Sequence, residues 1–276
     1  MKKRISMILS GLLALSLITL SMTGCLEEDI PDDEDDDDKK SDGSKVNGKT
    51  PEELYVEALN AVNASTNWEL TSTQEISMTM EYNGQTQKQE QTQTVYQKMH
   101  GEDVYVKVGG SAIEMETWYV DGVLYTISGG VKAKAELSLK EYQDQYMGNS
   151  ENTLLNIPED WFEGVKFEKK DGKNCLNFHV SGEQYADVVG NALDALVGQG
   201  MEAEIGEVDY TVIFDKDGNI QQIVCDFSAT FSIENVSVEA EYHTVSDIKV
   251  GGVDAVTAPE DGDSFIDVTD QMDSIG

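Results

Sequence analysis

Arginine is almost missing from this chain. Arg4 is the single one in 276 residues, set against 53 Asp and Glu and a formal net charge of −34. The planar guanidinium is the residue of choice for bidentate recognition of phosphate and carboxylate, so that mode of binding is excluded. No basic stripe exists to neutralise phosphates, which excludes nucleic acid as a partner. Histidine is nearly as scarce. His100, His179 and His243 each fall singly in a predicted strand, with no metal-ligand spacing. The three cysteines form no CxxC. No Gly-x-Ser-x-Gly, His-Glu-x-x-His or phosphate loop is present, so no catalytic or cofactor-binding signature stands in the sequence. Asp215-Lys216-Asp217-Gly218-Asn219 begins like a calcium loop, but Gly218 is fourth rather than sixth and position twelve is Asp226. It reads as a hairpin turn. The acids are so many that no pair of them marks a glycoside-hydrolysing site. A non-catalytic protein without a cofactor is the expectation.

What is present begins with an address. Lys2, Lys3 and Arg4 precede an uncharged apolar run over residues 5–20, and small residues lead to Met22-Thr23-Gly24-Cys25. This is the layout of a secretory signal, and its end resembles a bacterial lipobox. The resemblance implies cleavage before Cys25 and attachment of diacylglyceryl to its sulfur, with Met22 in place of the usual Leu, Val or Ile. An uncleaved anchor helix is the alternative, since the run is near the spanning length. Either way the rest of the chain is tethered outside the cytoplasm. Two acyl chains, of the palmitate type, hold stably where one is marginal. The expected location is the extracytoplasmic face of the bacterial cell membrane. Loss of residues 1–24 leaves 16 lysines against 53 acids, a mature charge of −37. Such a surface binds anionic headgroups poorly, so the membrane contact depends on the anchor.

Residues 25–49 follow as a tether. Eleven acids fall between Glu27 and Asp42, with almost no apolar residue. The stretch cannot bury enough surface to offset ordering entropy and is expected to be disordered and extended. Its 24 residues after Cys25 reach at most about 80 Å.

Residues 50–250 read as one domain, with 251–276 a polar, loosely attached tail. Thr50-Pro51-Glu52-Glu53 is a helix start with a capping box. From Trp68 the period becomes two: Ile76, Met78, Met80 and Tyr82 alternate with polar residues up to an Asn83-Gly84 turn. Further strands include 104–108 and the pair 116–120 and 123–125 around Asp121-Gly122. A short helix is capped by Ser138 and Glu141. Another strand pair turns at Asp171-Gly172. Tyr185, Val188, Val189, Ala192, Leu193, Leu196 and Val197 lie on one side of a helix opened by Gly182. Three long strands close the domain. In 174–180, Cys175 points away from Leu176, Phe178 and Val180, whereas Cys225 shares the apolar face of its strand. Alternation therefore argues against a disulfide between them.

About ten antiparallel strands with one apolar face and three amphipathic helices predict an α+β domain. Its curved antiparallel sheet, a half-open β-barrel, is expected to be covered on its concave face by about three helices. The lipobox, acidic spacer, capped helix, long antiparallel run and second amphipathic helix together resemble lipoproteins of the LolA/LolB and LppX/LprG superfamily. The Tyr119-Val120-Asp121-Gly122-Val123-Leu124-Tyr125 hairpin and the late strand pair around Asp215 to Asn219 fit that pattern. The resemblance implies the half-barrel and, in several members, a lipid or lipid-modified protein in its hollow. It brings no catalytic residue, and the basic gating residues of the carriers have no arginine counterpart here. The expected lining of an apolar ligand is Trp68, Ile76, Met78, Met80, Trp118, Leu176, Phe178, Phe227 and Phe231. The other reading is a surface interaction or sensor domain, its hollow filled by side chains, that engages a protein or envelope polymer through sheet edges or its acidic face.

Overall fold

The computed structural model of the protein describes residues 45–82, 84–110, 114–143, 157–162, 164–188, 202–233 and 236–269. The signal peptide, Cys25, all but the end of the acidic tether, and the 189–197 part of the second amphipathic helix lie outside the described residues. Helix α1 (Pro51–Asn63) starts as the sequence predicts: Thr50 accepts from the Glu53 amide, and the Glu53 carboxylate accepts from the Thr50 amide at 2.6 Å. Strands β1 (Asn67–Tyr82), β2 (Gln85–His100), β3 (Asp103–Gly110), β4 (Met115–Val120), β5 (Val123–Ser128) and β6 (Val131–Glu136) follow as hairpins. Then come the single-turn helix α2 (Leu139–Tyr142), a 3₁₀ turn (Glu159–Phe162), β7 (Phe167–Lys170), β8 (Lys173–Val180) and α3 (Gly182–Val188). Strands β9 (Glu202–Phe214), β10 (Ile220–Ile233) and β11 (Val236–Val250) lead to a final β12 (Ile266–Asp267). Asp121 and Asp171 take positive φ ahead of Gly122 and Gly172, the backbone that tight hairpins require.

Among the described residues twelve strands form one curved, unclosed sheet in the order β12-β6-β5-β4-β3-β2-β1-β11-β10-β9-β8-β7. Every pairing is antiparallel except β12 on β6. Registers fix the faces. On one flank Trp68, Met99, Val104, Tyr119, Leu124 and Ala135 are successive cross-strand partners. On the other, Ile76, Tyr242, Phe227, Val208 and Val180 are. Both rows belong to one face, because Trp68 and Ile76 are an even number of residues apart on β1. This core face carries the main apolar cluster. Ring contacts bring the helices and the 3₁₀ turn onto it: Tyr55 to Phe162 at 4.9 Å, Phe162 to Phe178 at 5.2 Å, Tyr185 to Phe227 at 5.3 Å, and Tyr142 stacked on Tyr119 at 4.4 Å. Among the described residues no helix is long and apolar enough to cross a membrane.

Residues 251–269 are not loose. Val253, Val256 and Phe265 are buried. The Val253 amide donates to Asn67 Oδ1, Lys98 Nζ donates to the Ala255 carbonyl, and Lys132 pairs with Asp261. The Phe265 ring meets Tyr125 edge-on at 5.4 Å. Three apolar residues spaced among many polar ones give no periodic signal, which is why composition alone suggests a tail. The segment straps the face opposite the core and ends as a strand on the β6 edge. Cys175 and Cys225 are both free and buried. Cys175 is level with Ile213, and Cys225 with Tyr210, so the two thiols leave opposite faces of the sheet.

Candidate functional site

Seven of the expected lining residues gather on the core face. Trp68, Ile76, Met78, Leu176, Phe178, Phe227 and Phe231 are between 0 % and 6 % exposed and belong to one cluster. Met80 is half-buried against it. Trp118 is not with them. Its partners are Tyr105 and Tyr125, which places it on the opposite face in a ladder with Tyr96 and Tyr105 beside the strap. Ring centroids there are 5.9 Å (Tyr96 to Tyr105) and 5.2 Å (Tyr105 to Trp118). The neighbouring Tyr119 is the inward residue of that strand. Where both neighbours are aromatic, alternation does not say which one faces the core. Gly182 seats α3 closely on β9, since a Cβ there would collide with the Ile205 carbonyl.

A polar seam crosses the same core face. Ser72 and Ser246 share a hydrogen bond of 2.7 Å, and Gln74 Nε2 donates to Thr244 Oγ1 at 3.0 Å. Gln93, Gln97 and Thr117 extend the seam, and all seven residues are buried. Beyond it Tyr185, Tyr210 and Cys225 are linked by side-chain hydrogen bonds, and burial pushes all three groups up, the Cys225 thiol to about 12. Every member of the seam is neutral. Sequence reasoning missed it, although Ser72 and Gln74 share the parity of Ile76 and Met78. A polar residue in an alternating strand is read as solvent-facing unless its parity is checked against the whole strand.

The opposite face of the long strands holds a groove of about 710 Å³. Glu75, Glu90, Glu207, Asp209, Asp226 and Glu241 line it with His243, and Ser77, Ser228, Gln91 and Thr92 contribute. Ile76, Phe227 and Tyr242 complete the lining. Its cross-strand row runs Glu75, His243, Asp226, Asp209 and His179 over five adjacent strands. His243 Nδ1 lies 2.6 Å from Asp226 Oδ1, and His179 pairs with Asp209. With no lysine in the lining, the field of this surface favours cationic groups. Among the described residues no three His, Cys, Asp or Glu side chains are arranged to hold a metal ion.

The remaining candidates resolve into structure. Asp215 accepts from the Asp217 and Asn219 amides at 2.9 Å each and from Asn219 Nδ2 at 3.0 Å, a self-contained β9–β10 turn. His100 Nδ1 is 2.9 Å from Asn67 Nδ2 and 3.1 Å from the Val253 carbonyl, holding the start of the strap.

No family model matches the chain, and no curated protein matches it by sequence. Solved structures do. LprF from Mycobacterium bovis is 12% identical, with a TM-score of 0.29, over 76% of this chain and 95% of LprF. A DUF1329 family protein from Desulfovibrio piger is 11% identical, with a TM-score of 0.21, over 74% of this chain and 93% of that one. A Vibrio parahaemolyticus domain described as outer membrane lipoprotein-sorting is 8% identical, with a TM-score of 0.22, over 75% and 93%.

Proposed function

We propose that the chain is a non-catalytic lipoprotein of the bacterial envelope, held at the extracytoplasmic face of the membrane by acyl groups on Cys25, which binds a lipid or similar apolar molecule between its sheet and the helices over the core face. The observation that carries the reading is the single apolar surface formed by Ile76 and Met78 of β1, Phe227 and Phe231 of β10, and Leu176 and Phe178 of β8, all in one core cluster. This surface meets helical segments through side-chain rings rather than through paired charges. Affinity would come from apolar area, at roughly 25 cal/mol per Å². The absence of arginine is then no handicap, because no anionic headgroup has to be clamped. Cys225 offers no ready nucleophile, being buried with its thiol pushed up to about 12 by that burial. Native mass spectrometry of the lipidated protein made in its own host tests the reading. One apolar molecule per chain is expected, with lower occupancy on Met80→Gln, a half-buried position where the fold is retained. A protein that carries no extractable lipid from its host overturns it.

The acidic groove favours a second reading, a surface that engages a cationic peptide or polymer. Oligolysine titration of the protein and of an E75Q/D226N/E241Q variant separates the two. The variant should bind about tenfold more weakly at low salt, since exposed charges act through a screened field. Equal binding removes the groove from consideration.

A further inference from the structure

The open edge of β2 carries information that neither face uses. Strand β2 pairs with β1 along its whole length, but β3 covers only its second half, and that pairing stops where Gly110 meets Gln93. Gly110 has φ of +152°, and a Cβ on it would collide with the Thr92 carbonyl, so only glycine fits at this end of the pairing. Among the described residues, 86–92 have one neighbouring strand, β1. All are exposed except the half-buried Gln91. Every other residue of such an edge presents its N–H and C=O outward, a template for another strand. The segment holds neither proline nor glycine.

Its sequence reads the same in both directions apart from one exchange of charge. Thr86, Gln87, Lys88, Gln89, Glu90, Gln91 and Thr92 are symmetric about Gln89, with Lys88 and Glu90 at mirrored positions. Neither charge has an ion-pair partner among the described residues. We propose that the occupant of this edge is a second copy of the chain, paired antiparallel over residues 86–92 about a two-fold axis at Gln89. Thr86 then faces Thr92, Gln87 faces Gln91, and Lys88 faces Glu90, twice over by symmetry. Threonine pairs and opposite charges are the favourable cross-strand combinations, and the self-complementary contact is the isologous kind that closes a dimer. Register is fixed by the same two charges. A slip of two residues in one direction sets Lys88 against Lys88, and in the other Glu90 against Glu90. A lone lysine on an edge normally repels strangers; here only a strand with an acid two positions further on answers it. The strong overall acidity opposes association, but a Debye length of about 8 Å confines that repulsion to groups near the seam.

Cysteine trapping on the full, host-processed protein in its membrane tests the pairing. Cys175 and Cys225 are buried and contribute no background, and the parent chain reports any linkage through Cys25. Gln89→Cys should form a disulfide dimer at least about tenfold faster than Gln87→Cys or Gln91→Cys alone, because only residue 89 faces itself within bridging distance. A mixture of Gln87→Cys and Gln91→Cys chains should give the mixed dimer. Adding Lys88→Glu to Gln89→Cys should slow trapping about tenfold, and K88E/E90K should restore it to within about twofold. Lys88, Gln89 and Glu90, which carry the decisive comparisons, are exposed, so folding is not at stake there. Equal rates for the three single cysteines, or indifference to Lys88→Glu, overturn the proposal. The outcome is independent of whether an apolar ligand is bound.

Discussion

The two flanks of the sheet, divided at β1, are stabilised in different ways. The β8–β11 flank is packed on its core face by rings and helical segments, with Leu176, Val208, Val212, Phe214 and Phe231 fully buried, while its other face carries the acidic groove, with Cys175 and Ile213 as buried apolar residues on it. The β2–β6 flank is thinner. Its outer face carries aromatic residues and is closed by the strap through Phe265, Val253 and Val256. A strand that is apolar on one face needs one cover, whereas a strand with large residues on both faces needs two. The difference accounts for Trp118, which belongs to the second cover and not to the core. It also predicts unequal cooperativity. Phe231→Ala should cost about 3–5 kcal/mol of global stability in urea denaturation, the range for an aromatic side chain deleted from a closed core. Phe265→Ala should cost less, about 2 kcal/mol, and mainly locally, since a strap can undock while the sheet persists. Hydrogen exchange should then rise in β6 and residues 251–269 and not in β9 and β10. Exchange that rises uniformly would mean the flanks unfold as one unit.

Much of this division was legible in the sequence, and the rest was hidden for identifiable reasons. The α1 capping box, the period-two run from Trp68 and the Asp121-Gly122 and Asp171-Gly172 turns are local features, set by neighbours within four residues, and they appear where expected. Strand count was underestimated at two places: β6 alternates lysine with small alanines and carries little apolar signal, and β12 is two residues long and pairs only in the folded chain. The strap and the face of Trp118 depend on which distant segment lies over a surface, and alternation carries no information about that. The acidic groove was invisible for a related reason: its carboxylates come from five strands and converge only through register. Seven of the nine residues named from the sequence fall together on the core face because parity within a strand and apolar character agree at each of them.

Between the flanks, at the β1–β11 joint, the polar seam sharpens the comparison. Ser72 and Ser246 are buried and hydrogen-bonded to each other. Ser72→Ala leaves the Ser246 hydroxyl buried without its partner and should cost about 1–2 kcal/mol. The double variant S72A/S246A removes both groups and should recover most of that loss, because two methyl-bearing residues leave nothing unpaired. Chemical denaturation of the three proteins measures the coupling. Additive losses would mean that the hydroxyls contribute separately and that the seam is not a joint but two independent sites.

The smallest effect concerns how the β8–β11 flank is turned. The β9–β10 hairpin is closed by Asp215 and packed from outside by Leu54 of α1, which lies 3.1 Å from the position a Cβ on Gly218 would take. Partial burial opposes ionisation of Asp215, but hydrogen bonds from Asn219, Asp217 and Gly218 together outweigh it and hold the carboxyl below its usual range. A depressed folded-state value means that the charged form stabilises the fold above the unfolded value, about 3.9, and that this contribution fades as pH falls through the folded value. Asp215→Ala should therefore cost about 1 kcal/mol at neutral pH, kept small by solvent access to the turn. The gap between variant and parent should hold down to about pH 4 and then narrow. Melting curves at pH 7, 4 and 2.5 measure it. A gap that stays constant to pH 2.5 would show that the neutral acid closes the turn as well as the carboxylate does, and that the flank owes its turn to Leu54 packing rather than to charge.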